Sequence, residues 1–294
     1  MVRIGINPLT WTNDDLPELG DNNSLETCLT EAKQAGYEGV ELGRKFPRDA
    51  AVLGPILKSH KLDLVSGWYS ARLLERSVED EISAMQPHLG LLKSLGAKAM
   101  VFCEVSRCVH GNRKAPLSKR PKLAENEWQP FCAGLEKVGQ YLKKQGMALA
   151  YHHHMGTVIQ AEDEVERMMD ATKSVGLLLD TGHLTFAGGD PLRALKRHAK
   201  RIVHVHCKDI RNDQLAQAKK EDWSFLDGVV GDVFAVPGDG CIDFDPILAG
   251  LAKHKYAGWL VVEADQDPAK AHPLTHARIG HDTLRKLAKR YWAK

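Results

Sequence analysis

The 294-residue chain lacks the features that mark several large classes of protein. It has 40 lysines and arginines and 38 aspartates and glutamates, so its net charge is close to zero. Binding to a phosphate backbone requires a basic surface, and we therefore expect no nucleic-acid partner. No apolar run approaches the length of a membrane span, and no secretion leader precedes the predicted first strand at Arg3. The sequence therefore predicts a soluble, cytoplasmic protein with no membrane partner.

Cysteine pairs of the kind that hold zinc or exchange disulfides are also missing. No two cysteines are separated by two residues, which excludes a zinc ribbon and a dithiol redox motif. We expect reduced thiols, most of them buried, because free cysteine packs as a small hydrophobic residue. The six are Cys28, Cys103, Cys108, Cys132, Cys207 and Cys241.

Glycine-rich phosphate-binding turns are absent as well. The residues that follow the first predicted strand, from Asn7 to Thr10, contain no Gly-x-Gly-x-x-Gly, and no P-loop occurs anywhere in the chain. Such a turn is typical of an open doubly wound sheet, which is the alternative α/β architecture. Its absence disfavours that alternative.

The chain does contain a regular alternation of short hydrophobic runs and helical patterns, from Arg3 to about Arg290. One helix is predicted from about Ser24, and a long one from about Ser77 to Leu95. About eight strand–helix repeats, with no linker between them, predict an α/β fold that is a single (β/α)8 TIM barrel over residues 1–294.

Two connections are longer than a barrel requires, at about residues 106–123 and 212–243. Long connections in compact domains are commonly lids or binding loops. We therefore expect them at the active face, with Trp223 or Phe225 contacting substrate and excluding water. The alternative is that they are insertions tolerated at the surface.

Four potential metal ligands stand where successive hydrophobic runs end: His152, Asp180, His206 and Glu263. In a parallel barrel the carboxyl ends of the strands meet at one mouth, which is where such barrels place their chemistry. Mixed imidazole and carboxylate ligands without thiolate suit Mn, Co, Fe or Zn. The pattern predicts one divalent metal at that mouth.

Other polar groups accompany these ligands. His154 shares a strand face with His152, so either one is a candidate for the first ligand. His183 follows Asp180 closely, and Lys208 is the next residue on the face of His206. Two further carboxylates, Glu41 and Glu104, stand at the ends of earlier strands, where burial is costly unless the charge is paired.

At these positions the sequence resembles the xylose isomerase-like TIM barrels, a superfamily of sugar isomerases, epimerases, dehydratases and endonucleases. Its members typically hold one divalent metal with Glu, Asp, His and Glu from the fifth to eighth strands. Asp180, His206 and Glu263 match the last three of these ligands. His152 occupies the place where most members have glutamate, so one of the two carboxylates that epimerases use for proton transfer is absent.

Within that superfamily, five segments look like those of the inosose dehydratase family: residues 151–157, 179–184, 204–209, 236–240 and 263–268. The resemblance spans essentially the full length. It implies loss of water from a cyclic polyol ketone, 2-keto-myo-inositol, to give a trihydroxycyclohexane-1,2-dione in inositol catabolism. It also implies Mn or Co as the metal and a requirement for glutathione, for which no motif is visible.

For that reaction we expect Glu104 or His154 to act as the base. Lys208 or His183 would steer the carbonyl or the leaving hydroxyl, and Glu41 would contact substrate. The competing hypothesis is a metal-dependent sugar isomerase or epimerase of the same superfamily.

Two further functional classes have less support in the sequence. An abasic-site nuclease would need more metal ligands and a basic face, and a non-catalytic sugar-binding protein would leave the acid–base groups unexplained. The oligomeric state is left open, with a homo-oligomer as one option.

Overall fold

Eight parallel strands form a closed barrel in the computed structural model of this protein, which describes residues 2–292. The order around the barrel is β1, β10, β7, β6, β5, β4, β3, β2, so strands that follow one another in the chain are also neighbours in space. The predicted TIM-barrel fold is confirmed. The strands are β1 (Arg3–Ile6), β2 (Gly39–Leu42), β3 (Asp63–Ala71), β4 (Ala99–Glu104), β5 (Ala148–His152), β6 (Gly176–Asp180), β7 (Ile202–Cys207), β8 (Asp209–Ile210), β9 (Phe234–Ala235) and β10 (Trp259–Val262).

Helices surround the barrel, as expected for parallel strands that are buried on both faces. Among residues 2–292, no helix combines the length and apolarity needed to cross a bilayer. The helices are α1 (Leu25–Gln34), α2 (Ala50–Ser59), α3 (Val78–Ala84), α4 (Gln86–Ser94), α5 (Glu125–Lys144), α6 (Glu162–Ala171), α7 (Thr181–Phe186), α8 (Pro191–His198), α9 (Asn212–Glu221), α10 (Phe225–Val230), α11 (Phe244–Lys253) and α12 (Pro273–Trp292).

Helix boundaries follow local chemistry. Ser24 caps α1 by accepting the backbone N–H of Thr27, as the sequence predicted. The long helix predicted from about Ser77 to Leu95 is wrong, because the structure has two helices that meet at Met85. A proline in the first turn of α4 explains the break: it has no N–H to donate to the preceding turn.

The connection at residues 212–243 has more regular structure than the sequence indicated. It contains α9, α10 and β9, and β9 pairs with β8 in a small antiparallel ribbon. A separate hydrophobic cluster that includes Phe225 and Phe234 packs beneath it. The connection at 106–123 is tied to it, since the backbone N–H of Leu117 donates to the carbonyl of Trp223 at 3.1 Å. The two long connections therefore support each other.

Gly39 illustrates how closely the strands approach at the base of the barrel. A Cβ on Gly39 would lie 2.7 Å from Cγ2 of Val65 and 2.8 Å from the carbonyl oxygen of Asp63. Gly90, in the exposed face of α4, would place a Cβ in open space.

The same substitution at these two glycines should have opposite effects. We expect Gly39→Ala to lower the free energy of unfolding by about 1–3 kcal/mol because the new methyl overpacks the barrel wall. Gly90→Ala should raise it by about 0.5–1 kcal/mol, because alanine loses less backbone entropy in a helix. Urea denaturation followed by circular dichroism measures both, and equal effects would contradict the packing argument.

Candidate active site

A cavity of about 250 Å³ opens at the carboxyl ends of the barrel strands. Three of the four predicted metal ligands line it, and the fourth, Asp180, is fully buried beside them. The lining is rich in carboxylates and imidazoles, with Trp68 as its aromatic wall. The polar and aromatic residues that line it are Asn7, Asp14, Asp15, Glu41, Trp68, Ser70, His110, His152, His154, His206, Glu263 and Asp265.

The four predicted ligands converge on one point. Nδ1 of His206 lies 3.2 Å from Nε2 of His152 and 3.1 Å from Oε2 of Glu263. Oδ2 of Asp180 lies 3.5 Å from each of the same two imidazole nitrogens. Ligand atoms held about 2.0–2.2 Å from one ion are separated by about 3–3.5 Å, so this spacing suits a single divalent cation.

Asp180 supplies the clearest sign that a cation belongs here. Its Oδ1 accepts the backbone N–H of His183 at 2.7 Å and so caps α7. Its Oδ2 is buried and has no hydrogen-bond partner among residues 2–292. Burying a carboxylate oxygen without a partner is costly. The donor set and this unpaired oxygen fit a bound metal ion.

His183 lies close to the same cluster, with a nitrogen within 4.8 Å of ligand atoms on His152, Asp180 and Glu263. Its Nε2 accepts from the ammonium of Lys208 at 2.9 Å, and its Nδ1 faces the backbone N–H of Met155 at 3.4 Å. With Nε2 as the acceptor, the neutral ring carries its proton on Nδ1, so neither nitrogen has a lone pair free for a metal ion. His206, whose Nδ1 points at the other three ligands, fits the fourth position better.

The imidazole of His152 is set up to offer a lone pair. Its Nδ1 lies 2.8 Å from the carbonyl of His153, which places the proton on Nδ1 and leaves Nε2 as the acceptor. Burial and the neighbouring His206 hold the pKa of His152 well below its usual value. A neutral imidazole is the form that binds a metal. His154 has no such contact with the other three ligands, so the geometry favours His152.

Glu41 and Asn7 form the wall between the metal cluster and the first strands. The amide nitrogen of Asn7 donates to Glu41 and to Glu263, at 2.7 Å each. Oε1 of Glu41 lies 2.8 Å from Nε2 of His204 and 3.1 Å from Nε2 of His206. Burial alone would raise the pKa of Glu41, but the two histidines outweigh it and hold that pKa well below its usual value. Glu41 is thus an ionised acceptor that faces the cavity.

Lys208 is buried behind this wall rather than in it. Its ammonium lies 2.6 Å from Oδ2 of Asp265 and 2.7 Å from Oε1 of Glu263. Burial alone would lower the pKa of Lys208, but Asp265 and Glu263 raise it, so the side chain stays charged. Neither Lys208 nor His183 lines the cavity. The expectation that one of them steers the substrate directly is therefore corrected: Lys208 positions carboxylates, and His183 receives its hydrogen bond.

His154 does reach the cavity, through the edge of its ring. Its Nδ1 lies 2.8 Å from the carbonyl of Met155, which places the proton on Nδ1 and leaves the Nε2 lone pair free. Burial, followed by the nearby His110, holds the pKa of His154 well below its usual value. The ring packs against His183, with centroids 4.0 Å apart, and against Trp68 at 5.4 Å. His154 is a neutral imidazole held in place at the cavity by its neighbours.

Two other sequence expectations are corrected by where the structure places the side chains. Glu104 does not line the cavity; its carboxylate accepts the backbone N–H groups of Leu73 at 2.7 Å and Ser106 at 2.8 Å. Such bonds anchor the chain after β3 and β4, so Glu104 is not positioned as a base. Trp223 also lies outside the cavity, and its indole donates to Glu221 at 2.8 Å.

Phe225 was expected to contact substrate, but it lies behind the histidines that surround the cavity. It is fully buried and does not line the cavity, but its ring centroid lies 4.9 Å from that of His154 and 5.7 Å from that of His183. It keeps water from the back of both imidazoles and fixes their orientation. A contact between Phe225 and substrate is not supported by this position.

Several cavity residues were missed by sequence reasoning. Asn7 follows β1 directly and Asp265 comes two residues after Glu263, so the strand-end rule could have found both. Trp68 lies within β3, where an inward-facing aromatic is indistinguishable from core. His110 lies in the connection at 106–123, which the sequence predicted to be at the active face. Asp15 comes from a connection without a regular pattern, and no local signal marks it.

The chain belongs to the xylose isomerase-like TIM barrel family, which matches residues 29–287. Solved structures of low identity agree on the fold: a zinc-bound IOLI protein superposes with a TM-score of 0.72 at 17% identity, covering 100% of both chains. A probable 3-DHS dehydratase, AsbF from Bacillus anthracis, gives 0.69 at 13% identity, with 97% of this chain and 99% of that chain covered.

Within that family, curated relatives are much more similar. Inosose dehydratase of Clostridium perfringens is 43% identical, with 94% of each chain covered. Inosose dehydratase of Geobacillus thermodenitrificans is also 43% identical, over 97% of this chain and 96% of the relative. Rhizopine catabolism protein MocC of Rhizobium meliloti is 51% identical over 98% of this chain and 89% of the relative. The resemblance to the inosose dehydratases is confirmed.

The adjacent histidines 152 and 153, at the end of β5 and just after it, provide a test of the metal cluster. His152→Gln should abolish binding of one Mn²⁺ per chain, because it removes the imidazole that points at Asp180 and His206. His153→Gln should keep the ion, because both nitrogens of His153 lack hydrogen-bond partners in the described chain and neither reaches the cluster. Isothermal titration with Mn²⁺ and measurement of bound metal distinguish the two, and equal binding by both variants would refute the assignment.

Lys208 should matter for stability as well as for the site. Lys208→Met leaves Asp265 and Glu263 buried without their cation, and loss of one partner from a buried pair costs about 3–5 kcal/mol. We expect a fall of that size in the free energy of unfolding of the metal-free protein, measured by urea denaturation. Lys253→Met, which removes an exposed charge from α11, should change it by less than about 0.5 kcal/mol. A small effect at Lys208 would contradict the positioning role.

Proposed function

We propose that the protein is a metal-dependent dehydratase that removes water from 2-keto-myo-inositol and yields a trihydroxycyclohexane-1,2-dione. One observation carries this assignment: the four-ligand cluster has an imidazole, His152, at the first position, in a chain 43% identical to inosose dehydratases over nearly its full length. We further propose that the activity serves inositol catabolism in the cytoplasm, on a small cyclic substrate.

The metal would be held by His152, Asp180, His206 and Glu263, and we propose Mn or Co as the ion. When bound there, a divalent cation polarises a carbonyl oxygen and acidifies the adjacent C–H bond. No cysteine lines the cavity in the described residues, and no cavity residue is assigned to glutathione. We derive no step through glutathione.

The residues around the cluster would bind the substrate, remove its proton and exclude water. Glu41 and Asn7 offer an acceptor and a donor to ring hydroxyls, and Trp68 gives an apolar wall for the face of a cyclic polyol. His154 lines the cavity and carries its proton on Nδ1, which supports His154 as the base that removes the proton next to the ketone. Phe225 and the packed imidazoles behind His154 exclude water from that nitrogen.

The imidazole at position 152 separates this chemistry from epimerisation. A glutamate there could bind the ion and also exchange a proton with one face of the substrate. Nδ1 of His152 is bonded to a backbone carbonyl and Nε2 points at the ligand cluster, so neither nitrogen is available as a base. Proton transfer to carbon should therefore take place on one face only.

The test is to incubate the Mn-loaded protein with 2-keto-myo-inositol in deuterated water and analyse all species by mass and absorbance. We expect a product lighter by one water, at most one exchanged α position in unreacted substrate, and no epimer. His152→Glu should bind metal and dehydrate more slowly. Epimer formation by the unmodified protein at a rate comparable to water loss would contradict the proposal and favour a sugar isomerase or epimerase.

A further inference from the structure

One carboxyl group in the cavity is not used by the chemistry described so far. Asp15 lies in the connection between β1 and α1 and lines the cavity. Nε2 of His110, from the connection after β4, lies 3.6 Å from Oδ1 of Asp15. His110 in turn packs edge-on against His154, with ring centroids 5.1 Å apart. Asp15 is thus held over the metal cluster by a contact between two separate connections.

Two of the other cavity carboxylates cannot give up a proton. Glu41 accepts from Asn7, Ser66 and the histidines of β7, and Glu263 accepts from Asn7 and Lys208. Every oxygen of these two groups already receives a hydrogen bond or an ion pair. They are ionised acceptors and are poor sources of a proton.

The remaining cavity carboxylates are also engaged. Asp265 is bonded to the Lys208 ammonium at 2.6 Å, and Asp14 accepts the backbone N–H of Arg44 at 3.4 Å and is exposed. Asp15 differs from both, since its oxygens accept no hydrogen bond from any described residue, and 30% of its side chain faces open space. Among the described cavity carboxyls, Asp15 has no hydrogen bond on either oxygen, so both oxygens can contact a substrate.

Elimination of water needs an acid as well as a base. We propose, building on the function proposed above, that Asp15 is the catalytic acid that protonates the departing hydroxyl. The α C–H bond breaks and its proton goes to Nε2 of His154, while a C=C bond forms to the β carbon. The β C–O bond breaks with its electron pair on oxygen, and that oxygen takes the Asp15 proton and leaves as water. His154 ends protonated and Asp15 ends ionised, and proton exchange with solvent resets both.

The electrostatic surroundings of Asp15 suit this role. Burial raises its pKa to about 6, with Lys208 lowering it and Glu263 raising it in smaller measure. Burial also lowers the pKa of the facing His110, which keeps that imidazole neutral. A carboxyl with a pKa near the working pH is a more effective acid than one near 4. Its place in the lining of the cavity would let it reach a hydroxyl of a bound substrate.

The experiment compares Asp15→Asn with Glu18→Gln, an exposed position in the same connection. Three rates are measured on Mn-loaded protein: water loss from 2-keto-myo-inositol, exchange of its α hydrogen with deuterated water, and fluoride release from the analogue with fluorine at the β position. Loss of a general acid typically costs about 10²–10⁴-fold. We expect Asp15→Asn to lower kcat for water loss at least about 100-fold.

Exchange by Asp15→Asn should stay within a few-fold of the unmodified rate, because His154 and the ligands are intact. Fluoride leaves without being protonated, so its release should be nearly unaffected. Glu18→Gln should match the unmodified protein in all three rates.

Two results would overturn the assignment: unchanged water loss in Asp15→Asn, or an equal fall in all three rates, which would make the residue structural. Circular dichroism and metal content check that Asp15→Asn is folded and metal-loaded. If it is not, Asp15→Ala is measured in its place. If the unmodified protein does not remove water from 2-keto-myo-inositol, the proposed function is wrong. If both the unmodified protein and Asp15→Asn remove water at the same rate, only the assignment of Asp15 as the acid is wrong.

Discussion

The concentration of buried charge at the carboxyl mouth of the barrel is the constraint on which the rest of the site depends. Asp180, Glu263, Asp265 and Glu41 are all nearly inaccessible to water and lie around one cavity. Carboxylates that close together are stable only if cations or donors compensate them. Lys208 compensates one side of the group, bonding Asp265 and Glu263, and His204 and Asn7 compensate Glu41. Oδ2 of Asp180 has no hydrogen-bond donor among residues 2–292, the Lys208 ammonium being 3.9 Å away, and it lies at the point where the four predicted ligands meet.

Buried carboxylates at strand ends have two distinct uses in this barrel. Glu104 and Asp209 accept backbone N–H groups and fix connections; Asp209 alone receives those of Gly238, Gly240 and Ile242. Asp180 and Glu263 instead direct a carboxylate oxygen toward the imidazoles of His152 and His206. The difference lies in whether each oxygen has a backbone donor within reach: Oδ1 of Asp180 accepts the N–H of His183, whereas its Oδ2 has no such donor in the described chain. A carboxylate oxygen that accepts a backbone N–H stabilises the connection. An oxygen without such a donor remains available to bind a ligand.

The chemistry assigned to the cavity is asymmetric, and the asymmetry has a structural origin. The imidazole of His154 is held by Met155, His183 and Phe225, whereas Asp15 comes from the connection between β1 and α1, with its carboxylate 3.6 Å from His110. In the proposed mechanism His154 is the base and Asp15 the acid, and different segments of the chain hold them. This arrangement suits removal of a proton and a hydroxyl from neighbouring carbons, and it offers no second base for inversion at one carbon.

The sequence by itself indicated the fold and three of the four proposed ligands, because both depend on short-range patterns, and it left His152 and His154 as alternatives for the first ligand. Hydrophobic runs at regular intervals specify parallel strands, and the residue at the end of each run must lie at the mouth, as His152, Asp180, His206 and Glu263 do. Only the tertiary structure decided which polar groups face the cavity. Glu104 and Glu263 look alike in sequence, but one meets backbone donors and the other meets Lys208. Asp15 and His110 are 95 residues apart in irregular segments, and they are brought together by packing between connections, for which the chain carries no local signal.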